Sequence, residues 1–134
     1  MSKTYSIFIS HSWDHSDDLE ALHKLLNDRK YFCYESMEAT KFEPIDSENA
    51  KYIKSVLKRR IEDSNMVLAL AGIYASHSDW MKWEIETAKS LGIPIVGVIP
   101  RGQQRISQVV FVNSIADVRW STESIVQAIR DHAK

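Results

Sequence analysis

The amino-acid sequence predicts an α/β fold, a three-layer sandwich built around a mostly parallel sheet of about five strands. Short apolar runs of β type alternate along the chain with amphipathic stretches of helical period, a pattern typical of parallel sheets with helices on both faces. Two of these runs, Met66–Ala71 and Ile93–Ile99, are almost entirely apolar, as strands buried on both faces are. For about five strands, the common doubly wound order is 2-1-3-4-5.

The first half of the chain is expected to contain two strands and two helices. Tyr5–Ser10 predicts a strand, and about Asp17–Asp28 predicts a helix because its leucines recur at helical spacing. Tyr31–Tyr34 predicts a second, short strand, and Glu35–Ser47 predicts an irregular acidic surface loop. A second helix is expected over about Glu48–Asp63, with one apolar stripe and a basic side that faces solvent.

Two helices and an edge strand complete the predicted alternation. Trp80–Leu91 predicts a third helix, and Gly92 is placed to end it in the C′ position. Val109–Val112 and Asp117–Arg119 predict parts of a short edge strand. Ser121 is placed to cap a last helix, which carries a further apolar stripe.

Length, charge and cysteine content exclude several classes of protein. The 134 residues fit one domain, so residues 1–134 are expected to form a single unit. With 17 Lys and Arg against 18 Asp and Glu, the net charge of −1 gives no basic field for nucleic acid or an anionic membrane. No apolar stretch reaches the roughly 20 residues of a membrane span. The lone Cys33 cannot form an intramolecular disulfide, which suits the cytoplasm.

Several common motifs are missing from the sequence. There is no GxGxxG after the first strand and no GxxxxGK[ST], so neither a dinucleotide-binding Rossmann turn nor a P-loop is expected. The five histidines and one cysteine show no metal-ligand spacing, so no metal site is expected. A phosphorelay receiver domain would need an aspartate after the third strand, where this chain has Leu70-Ala71-Gly72.

The polar segment that follows the first strand is a candidate binding loop. In a sheet of the expected order, ligands bind beyond the carboxyl ends of strands one and three. Ser10–Asp18 lies at that edge and is dense in hydroxyl, imidazole and carboxylate groups. For each residue taken singly, ordinary loop and capping chemistry is the simpler interpretation. His23, inside the first predicted helix, is expected at the surface.

Glu84 breaks the apolar pattern of the third helix. At 100° per residue, Glu84 lies inside the apolar arc with Trp80, whereas Glu86 lies on the opposite side. A buried carboxylate costs on the order of several kcal/mol unless it is hydrogen-bonded or paired. The positive end of the helix dipole is expected to let Glu84 stay ionised while partly buried. We expect Glu84 to be much less exposed than Glu86 and to face the exit of strand one, either as a structural tie or as a functional group.

Three segments carry a resemblance to a known family: Ile7–Trp13, Ser78–Ile85 and Gly92–Pro100. Together they resemble the TIR-like domain family, which includes the TIR proteins of Thoeris antiphage systems, and the likeness extends from about Tyr5 to Ile129. The spacing Trp-x-x-x-Glu, here Trp80 to Glu84, resembles the motif whose glutamate is catalytic in NAD-cleaving TIR domains.

The resemblance implies a flavodoxin-like fold and cleavage of the nicotinamide–ribose bond of NAD, which is the substrate and not a bound cofactor. Glu84 is the implied catalytic residue, and Ser10, His11, Trp13 and Trp80 are the implied substrate-binding residues. Nicotinamide leaves from a ring that is already cationic, so one anionic carboxylate can suffice where ordinary glycosidases use two. Glu84 would either stabilise the oxocarbenium-like transition state or attack the anomeric carbon.

The resemblance also implies an ADP-ribose-derived signal in antiviral defence, and either self-association through Glu35–Ser47 or an effector reached by a diffusible nucleotide. The net charge and the lack of a long apolar stretch predict neither nucleic-acid nor membrane partners. Two alternatives stay open. A non-catalytic TIR-like adaptor would act through protein contacts, with Glu84 as a structural hydrogen-bond acceptor. A nucleoside deoxyribosyltransferase-like enzyme would use a similar sheet and carboxylate on another N-glycosidic substrate.

Overall fold

A computed structural model describes residues 4–12, 16–38, 50–72, 79–100 and 107–134. Strands and helices alternate strictly within these ranges. In chain order they are β1 (Thr4–Ser10), α1 (Ser16–Asn27), β2 (Cys33–Ser36), α2 (Ala50–Glu62), β3 (Met66–Leu70), α3 (Asp79–Ser90), β4 (Ile95–Val98), α4 (Gln108–Asn113), β5 (Ala116–Val118) and α5 (Thr122–His132).

The five strands form one sheet in the order β2-β1-β3-β4-β5, and every pairing is parallel. The predicted fold class and strand order are therefore confirmed. In β1, Ile7 pairs with Ser36 of β2 on one side and Met66 of β3 on the other. β2 lies on one side of β1, and β3, β4 and β5 follow on the other side, so the strand order reverses at β1. In a doubly wound sheet, the binding crevice lies at the carboxyl ends of the strands at this point.

Two apolar layers cover the sheet, one on each face. Alternate strand side chains point to opposite faces, so Ile7 and Ile9 pack with α1 and α5, whereas Phe8 packs with α2, α3 and α4. β3 is buried along its whole length, as its continuous apolar run predicts. By the same alternation, Ser10 at the end of β1 shares the face of Phe8 and points towards α3.

The second strand lies two residues later than Tyr31–Tyr34, the range that the sequence predicts. Tyr31 adopts a left-handed backbone conformation with φ of 62° and is 85% exposed, so it forms the turn and cannot extend the strand. The strand begins at Cys33 and extends to Ser36, which moves Glu35 out of the predicted loop and into β2.

Val109–Val112 is helical, so the predicted strand there is wrong. Of this run, Val110 is fully buried, while Phe111 and Val112 are exposed, which is the burial pattern of a short surface helix. In a run of only four residues, the periodicity of the apolar side chains does not distinguish a strand from a buried helical turn. Val110 packs against Gly97, where an added Cβ would collide with Val110 and Asp117. Of the two segments predicted to form the edge strand after β4, only the second does so, as β5.

The remaining predicted elements lie at the observed positions, with ends that differ by one or two residues. Gly92 ends α3 with φ of 73°, the left-handed conformation expected at C′. Ser121 caps α5, and its hydroxyl accepts a hydrogen bond from the Ser124 amide at 3.4 Å. Within the described ranges, every helix is too short or too polar to cross a bilayer.

Candidate active site

The carboxyl end of β1 holds a buried hydrogen bond between Ser10 and Glu84. The Ser10 hydroxyl donates to Oε1 of Glu84 at 2.7 Å, across 74 positions of sequence. Ser10 has no exposed surface, and Glu84 is 8% exposed. Glu86, two residues further along α3, is exposed. The expected difference in burial between the two glutamates is confirmed, and so is the contact of Glu84 with the exit of strand one.

The apolar face of α3 explains why Glu84 is held there. Met81, Ile85 and Ala88 are fully buried against the sheet, and Glu84 lies between them on the same side of the helix. Rotating Glu84 into solvent would expose this apolar face. At roughly 25 cal/mol per Å² of apolar surface, the burial of three side chains outweighs the cost of one partly compensated carboxyl group.

Burial among these side chains raises the pKa of Glu84 to about 8. The Ser10 hydrogen bond opposes the shift, and the charge of the Glu38 carboxylate adds to it. The expectation that Glu84 stays ionised is therefore wrong for the ligand-free protein near neutral pH. A position in the second turn of α3 does not give enough dipole stabilisation to outweigh desolvation.

Glu38 is a second buried carboxylate at the same edge, and the sequence did not single it out. Its side chain is 3% exposed. Oε1 accepts a hydrogen bond from the Ile9 amide at 3.2 Å, and Oε2 lies 3.0 Å from Nε2 of His23. Just before it, the Met37 amide donates to the Ile7 carbonyl at 2.9 Å, so Glu38 continues the β1–β2 ladder with its side chain.

His23 and Tyr34 extend this network away from the sheet edge. Nδ1 of His23 lies 2.6 Å from the Tyr34 hydroxyl, and the two rings stack with centroids 5.9 Å apart. Donation from His23 Nε2 to Glu38 and from the Tyr34 hydroxyl to Nδ1 satisfies both ring nitrogens of a neutral imidazole. Burial, together with the charge of Glu38, raises the pKa of Tyr34 to about 12. His23 is half-buried and bonded, so the expectation of a surface histidine is wrong.

His11 offers a free acceptor directly after β1. It is 4% exposed, and its Nδ1 donates to the Ile9 carbonyl at 3.1 Å, which fixes the proton on Nδ1. Nε2 is buried and has no hydrogen-bond partner in the described part of the chain. Desolvation lowers the pKa of His11, against the opposing effects of its bond to Ile9 and the charge of Glu38. The imidazole is therefore a neutral group with an unused lone pair.

Trp80 and Trp13 complete the set of residues that the resemblance implies. Trp80 is 40% exposed, although the helical wheel placed it in the apolar arc, because it lies in the first turn of α3 at the rim of the core. Its ring meets Trp83 edge-on, with centroids 6.3 Å apart, and Lys54 Nζ lies 5.8 Å from its centre. Trp13 and residues 39–47 of the predicted acidic loop lie outside the described residues.

The structure thus joins two sequence-predicted positions, Ser10 and Glu84, places His11 next to Ser10 in the chain, and adds Glu38 with His23. One signal could have found Glu38: it follows β2, and parallel strands that pair place their carboxyl ends at one edge. Among the described residues, no group of three His, Cys, Asp or Glu side chains is arranged to hold a metal ion. The arrangement can bind a cation, stabilise positive charge, and accept a proton or hydroxyl hydrogen bond.

Comparison of the sequence with known families shows which family the chain belongs to. The sequence matches the family described as "Thoeris protein ThsB, TIR-like domain" over residues 8–105. The chain belongs to this TIR-like family. Glu38 and Glu84 both lie inside the matched range, as do Ser10 and His11.

TIR2 of Cytobacillus dafuensis, which is named as a proposed cyclic ADP-D-ribose synthase, is a relative of this TIR-like chain. It is 29% identical over 94 residues, which are 67% of this chain and 24% of TIR2. The chain therefore spans about a quarter of the length of that relative.

Two solved structures share the fold of this TIR-like chain. A 2-deoxyribosyltransferase from Bacillus psychrosaccharolyticus matches with a TM-score of 0.61 and 13% identity, over 90% of this chain and 89% of that one. The CMP N-glycosidase BcmB of Clostridium botulinum matches with a TM-score of 0.56 and 12% identity, over 93% and 98%. At these identities the likeness concerns the three-layer α/β architecture alone.

Proposed function

We propose that this TIR-like chain cleaves the nicotinamide–ribose bond of NAD+ and yields an ADP-ribose-derived signal in antiviral defence, with Glu84 as the catalytic carboxylate. The observation that carries the proposal is Glu84 itself, buried on the apolar face of α3 and bonded to Ser10 at the carboxyl end of β1. Membership of the Thoeris TIR-like family and the name of the relative TIR2 support the substrate and the setting.

The chemistry of the bond suits a site with a single activated carboxylate. Nicotinamide carries a positive ring nitrogen and leaves as a neutral base, so no proton needs to be delivered to it. Positive charge then moves onto the ribose, where an ionised Glu84 stabilises it or attacks the anomeric carbon. Ser10 holds Oε1 by its hydroxyl, which leaves Oε2 to contact the substrate.

The raised pKa of Glu84 has a direct consequence for binding. In the ligand-free protein near pH 7 the carboxyl group is mainly protonated, because its pKa is about 8. A cationic nicotinamide ring beside it favours the charged form and lowers the pKa again. Substrate binding would then release the Glu84 proton to solvent and prepare the carboxylate for the chemical step. His11, with its free Nε2, would accept a hydrogen bond from a ribose hydroxyl or from the attacking water.

Nicotinamide release from NAD+ tests the proposal, with wild type, Glu84→Gln and Glu86→Gln compared on the full chain. Glu84→Gln keeps the shape and the acceptor for Ser10 but removes the charge, so turnover should fall by at least about a hundredfold. Glu86→Gln is the matched control because Glu86 is exposed on the same helix. Retained turnover in a well-folded Glu84→Gln variant would overturn the catalytic assignment.

A second candidate function is a non-catalytic adaptor, and the Ser10–Glu84 bond itself favours it, because that bond ties α3 to β1. If Glu84 only joins α3 to β1, Glu84→Gln should change the melting temperature and leave any NAD+ cleavage intact. If wild type releases bases from neutral nucleosides and not from NAD+, the enzyme belongs with other N-glycosidic chemistry. Mass spectrometry of the reaction products identifies the signal in the active case.

A further inference from the structure

A lysine of α2 lies against two tryptophans of α3. Nζ of Lys54 is 5.8 Å from the ring centre of Trp80 and 5.6 Å from that of Trp83, and the two rings meet edge to face. An ammonium group within about 6 Å of the centre of an indole ring is attracted by the negative face of the ring. The two rings therefore hold the Lys54 ammonium beside the first turns of α3.

The rings hold this ammonium without neutralising it, because an indole ring carries no net charge. Lys54 is exposed, and no carboxylate of the described ranges pairs with it, since the ion pairs there join other residues. A lysine side chain loses rotamer freedom when it binds a ligand, and the contact with the two rings already restricts Lys54 in the free protein. Lys54 thus offers a positive charge of fixed position to an anion.

The connections of the sheet place Lys54 at the same edge as the candidate site. α2 ends at Glu62, shortly before β3 begins, so its last turn lies at the amino ends of the strands and its earlier turns extend towards their carboxyl ends. Lys54 precedes Glu62 by about 12 Å along the helix axis. α3 follows the carboxyl end of β3, so Trp80 in its first turn lies at that edge as well.

Trp80 connects this ammonium to the candidate catalytic residue. Trp80 and Glu84 occupy positions i and i+4 of α3, so their side chains are neighbours on the helix surface. Glu84 bonds Ser10 of β1, whereas Trp80 and Trp83 contact Lys54 of α2. A ligand that places its ribose at Glu84 can extend along the first turn of α3, so that the phosphate attached to the ribose meets the Lys54 ammonium.

We propose that Lys54, placed by Trp80 and Trp83, binds the diphosphate of the dinucleotide and thereby makes the site select NAD+ over nicotinamide riboside, which has the same scissile bond and no phosphate. The inference rests on the proposed function for the identity of the ligand. The basic side of α2, which the sequence predicts to face solvent, then contributes one of its lysines to substrate binding.

Two nearby lysines lack this placement, and one of them is a matched control. Lys82 lies on α3 on the side opposite Glu84, since two residues of a helix differ by about 200°. Lys58 follows Lys54 by one turn on α2 and is exposed, about 6 Å further from the carboxyl edge of the sheet. Lys58→Gln therefore removes the same charge from the same helix without removing the proposed phosphate contact.

The first experiment compares three substrates that share the nicotinamide–ribose bond: NAD+, nicotinamide mononucleotide with one phosphate, and nicotinamide riboside with none. In Lys54→Gln, kcat/KM for NAD+ and for the mononucleotide should fall roughly tenfold, mainly through KM, because a charged contact made in both the ground and the transition state is lost. The value for the riboside should stay within about twofold. Lys54→Arg should keep most of the preference for NAD+, and Lys58→Gln all of it.

An equal fall for the riboside in Lys54→Gln would show that Lys54 only packs against the two rings, and it overturns the inference. An unchanged kcat/KM for NAD+ in this variant overturns it as well. If Lys54→Gln does not fold, Lys54→Met takes its place, because it keeps an apolar stem on the rings and has no charge. If the wild type does not cleave the riboside at a measurable rate, the second experiment decides alone.

The second experiment needs no cleavage and measures the Kd of ADP-ribose by calorimetry. ADP-ribose keeps the diphosphate and lacks nicotinamide, so it binds without reacting at this bond. Lys54→Gln should raise its Kd by roughly tenfold, and added salt should reduce the difference from wild type, whereas Lys54→Arg and Lys58→Gln should bind nearly as the wild type does. Equal Kd values for wild type and Lys54→Gln overturn the inference, as does a wild type that does not bind ADP-ribose.

The two experiments separate this inference from the proposed function. Binding of ADP-ribose that depends on Lys54, with no nicotinamide release from any of the three substrates, would support the phosphate contact and refute NAD+ cleavage. Cleavage of NAD+ and of the riboside in the same ratio by wild type and Lys54→Gln would support the proposed function and refute the role of Lys54.

Discussion

The two buried carboxylates at the end of β1 differ in what holds them. Glu38 has a backbone amide on one oxygen and an imidazole on the other, whereas Glu84 has the hydroxyl of Ser10 on Oε1. Both carboxyl groups are shielded: Glu84 is 8% exposed as a residue, and the Glu38 side chain is 3% exposed although Glu38 as a whole residue is only partly buried. Burial alone therefore does not define the reactive group. Glu84 has fewer partners among the described residues, burial raises its pKa, and it is the carboxyl group that can accept a new partner.

The largest expected effect is the unequal response of turnover to removing each charge. Glu84→Gln should lower nicotinamide release from NAD+ by at least about a hundredfold, because it removes the charge that we propose stabilises the ribosyl cation. Glu38→Gln should change turnover by less than about tenfold at neutral pH, because the Glu38 oxygens are already taken by the Ile9 amide and His23. Initial rates under conditions where wild type is active provide the measurement. Equal losses in both variants would mean that the two carboxylates act as one catalytic pair.

The second expected effect is a pH-dependent stability difference between wild type and Glu84→Gln. The folded pKa of Glu84, about 8, lies above its unfolded value of 4.5, so the folded chain binds the proton more tightly. Between these pH values, deprotonation is easier in the unfolded chain, and the stability of the wild type should fall as pH rises. Glu84→Gln has no carboxyl group at this position, so its stability should not show this fall with rising pH.

From pH 5.5 to pH 7, the free energy of unfolding of Glu84→Gln should rise by about 2 kcal/mol relative to that of the wild type. Urea unfolding at both pH values measures it, with Glu86→Gln as the exposed control on the same helix. A difference that stays constant with pH would contradict the desolvation of Glu84 in the native state.

Most of the fold could be predicted from the sequence because its signals are local. The continuous apolar run at β3 and the helical period of α3 predicted both elements, and the phase of α3 alone predicted that Glu84 is buried and Glu86 exposed. The errors arose where local signals are ambiguous. Val109–Val112 is too short for its period to distinguish helix from strand, and the left-handed conformation of Tyr31 has no marker such as glycine.

The candidate site was less predictable, because its groups meet across long separations in sequence. Glu38 approaches Ile9 across 29 positions, and its partner His23 comes from a helix on one face of the sheet. The position of Glu38 after β2 points to the right edge of the sheet, but Glu43 and Asp46 also follow β2, so this signal does not single out Glu38. The charge state of Glu84 depends on the depth of burial and on Glu38 together, so periodicity could predict its position and not its pKa.

A smaller effect is expected from Ser10→Ala, which removes the hydroxyl that donates to Glu84. That donor opposes the rise in pKa, so its loss should raise the Glu84 midpoint further and move the acid limb of the pH–rate profile to higher pH by about half a unit to one unit. Stability should fall by about 1 kcal/mol, the usual net worth of one hydrogen bond. The profile of kcat/KM against pH, which reports ionisation in the free enzyme, measures the shift, and a move to lower pH would show that Ser10 does not stabilise the carboxylate.

The smallest expected effect comes from Tyr34→Phe, because Tyr34 reaches Glu38 only through His23. The change removes the hydroxyl 2.6 Å from His23 Nδ1 but keeps the ring that stacks on His23 and Phe32. Nδ1 can exchange this partner for water because the His23 side chain is 25% exposed, so stability should fall by less than about 1 kcal/mol.

The acid limb of the pH–rate profile should stay in place in Tyr34→Phe, in contrast with Ser10→Ala. Glu38 keeps the Ile9 amide, and His23 still donates to it from Nε2, so the negative charge near Glu84 remains where it is. Thermal unfolding and the profile of kcat/KM against pH, measured side by side for the two variants, test this difference. A shift in Tyr34→Phe as large as that in Ser10→Ala would mean that the His23–Tyr34 chain, rather than β1, holds the Glu38 carboxylate in place.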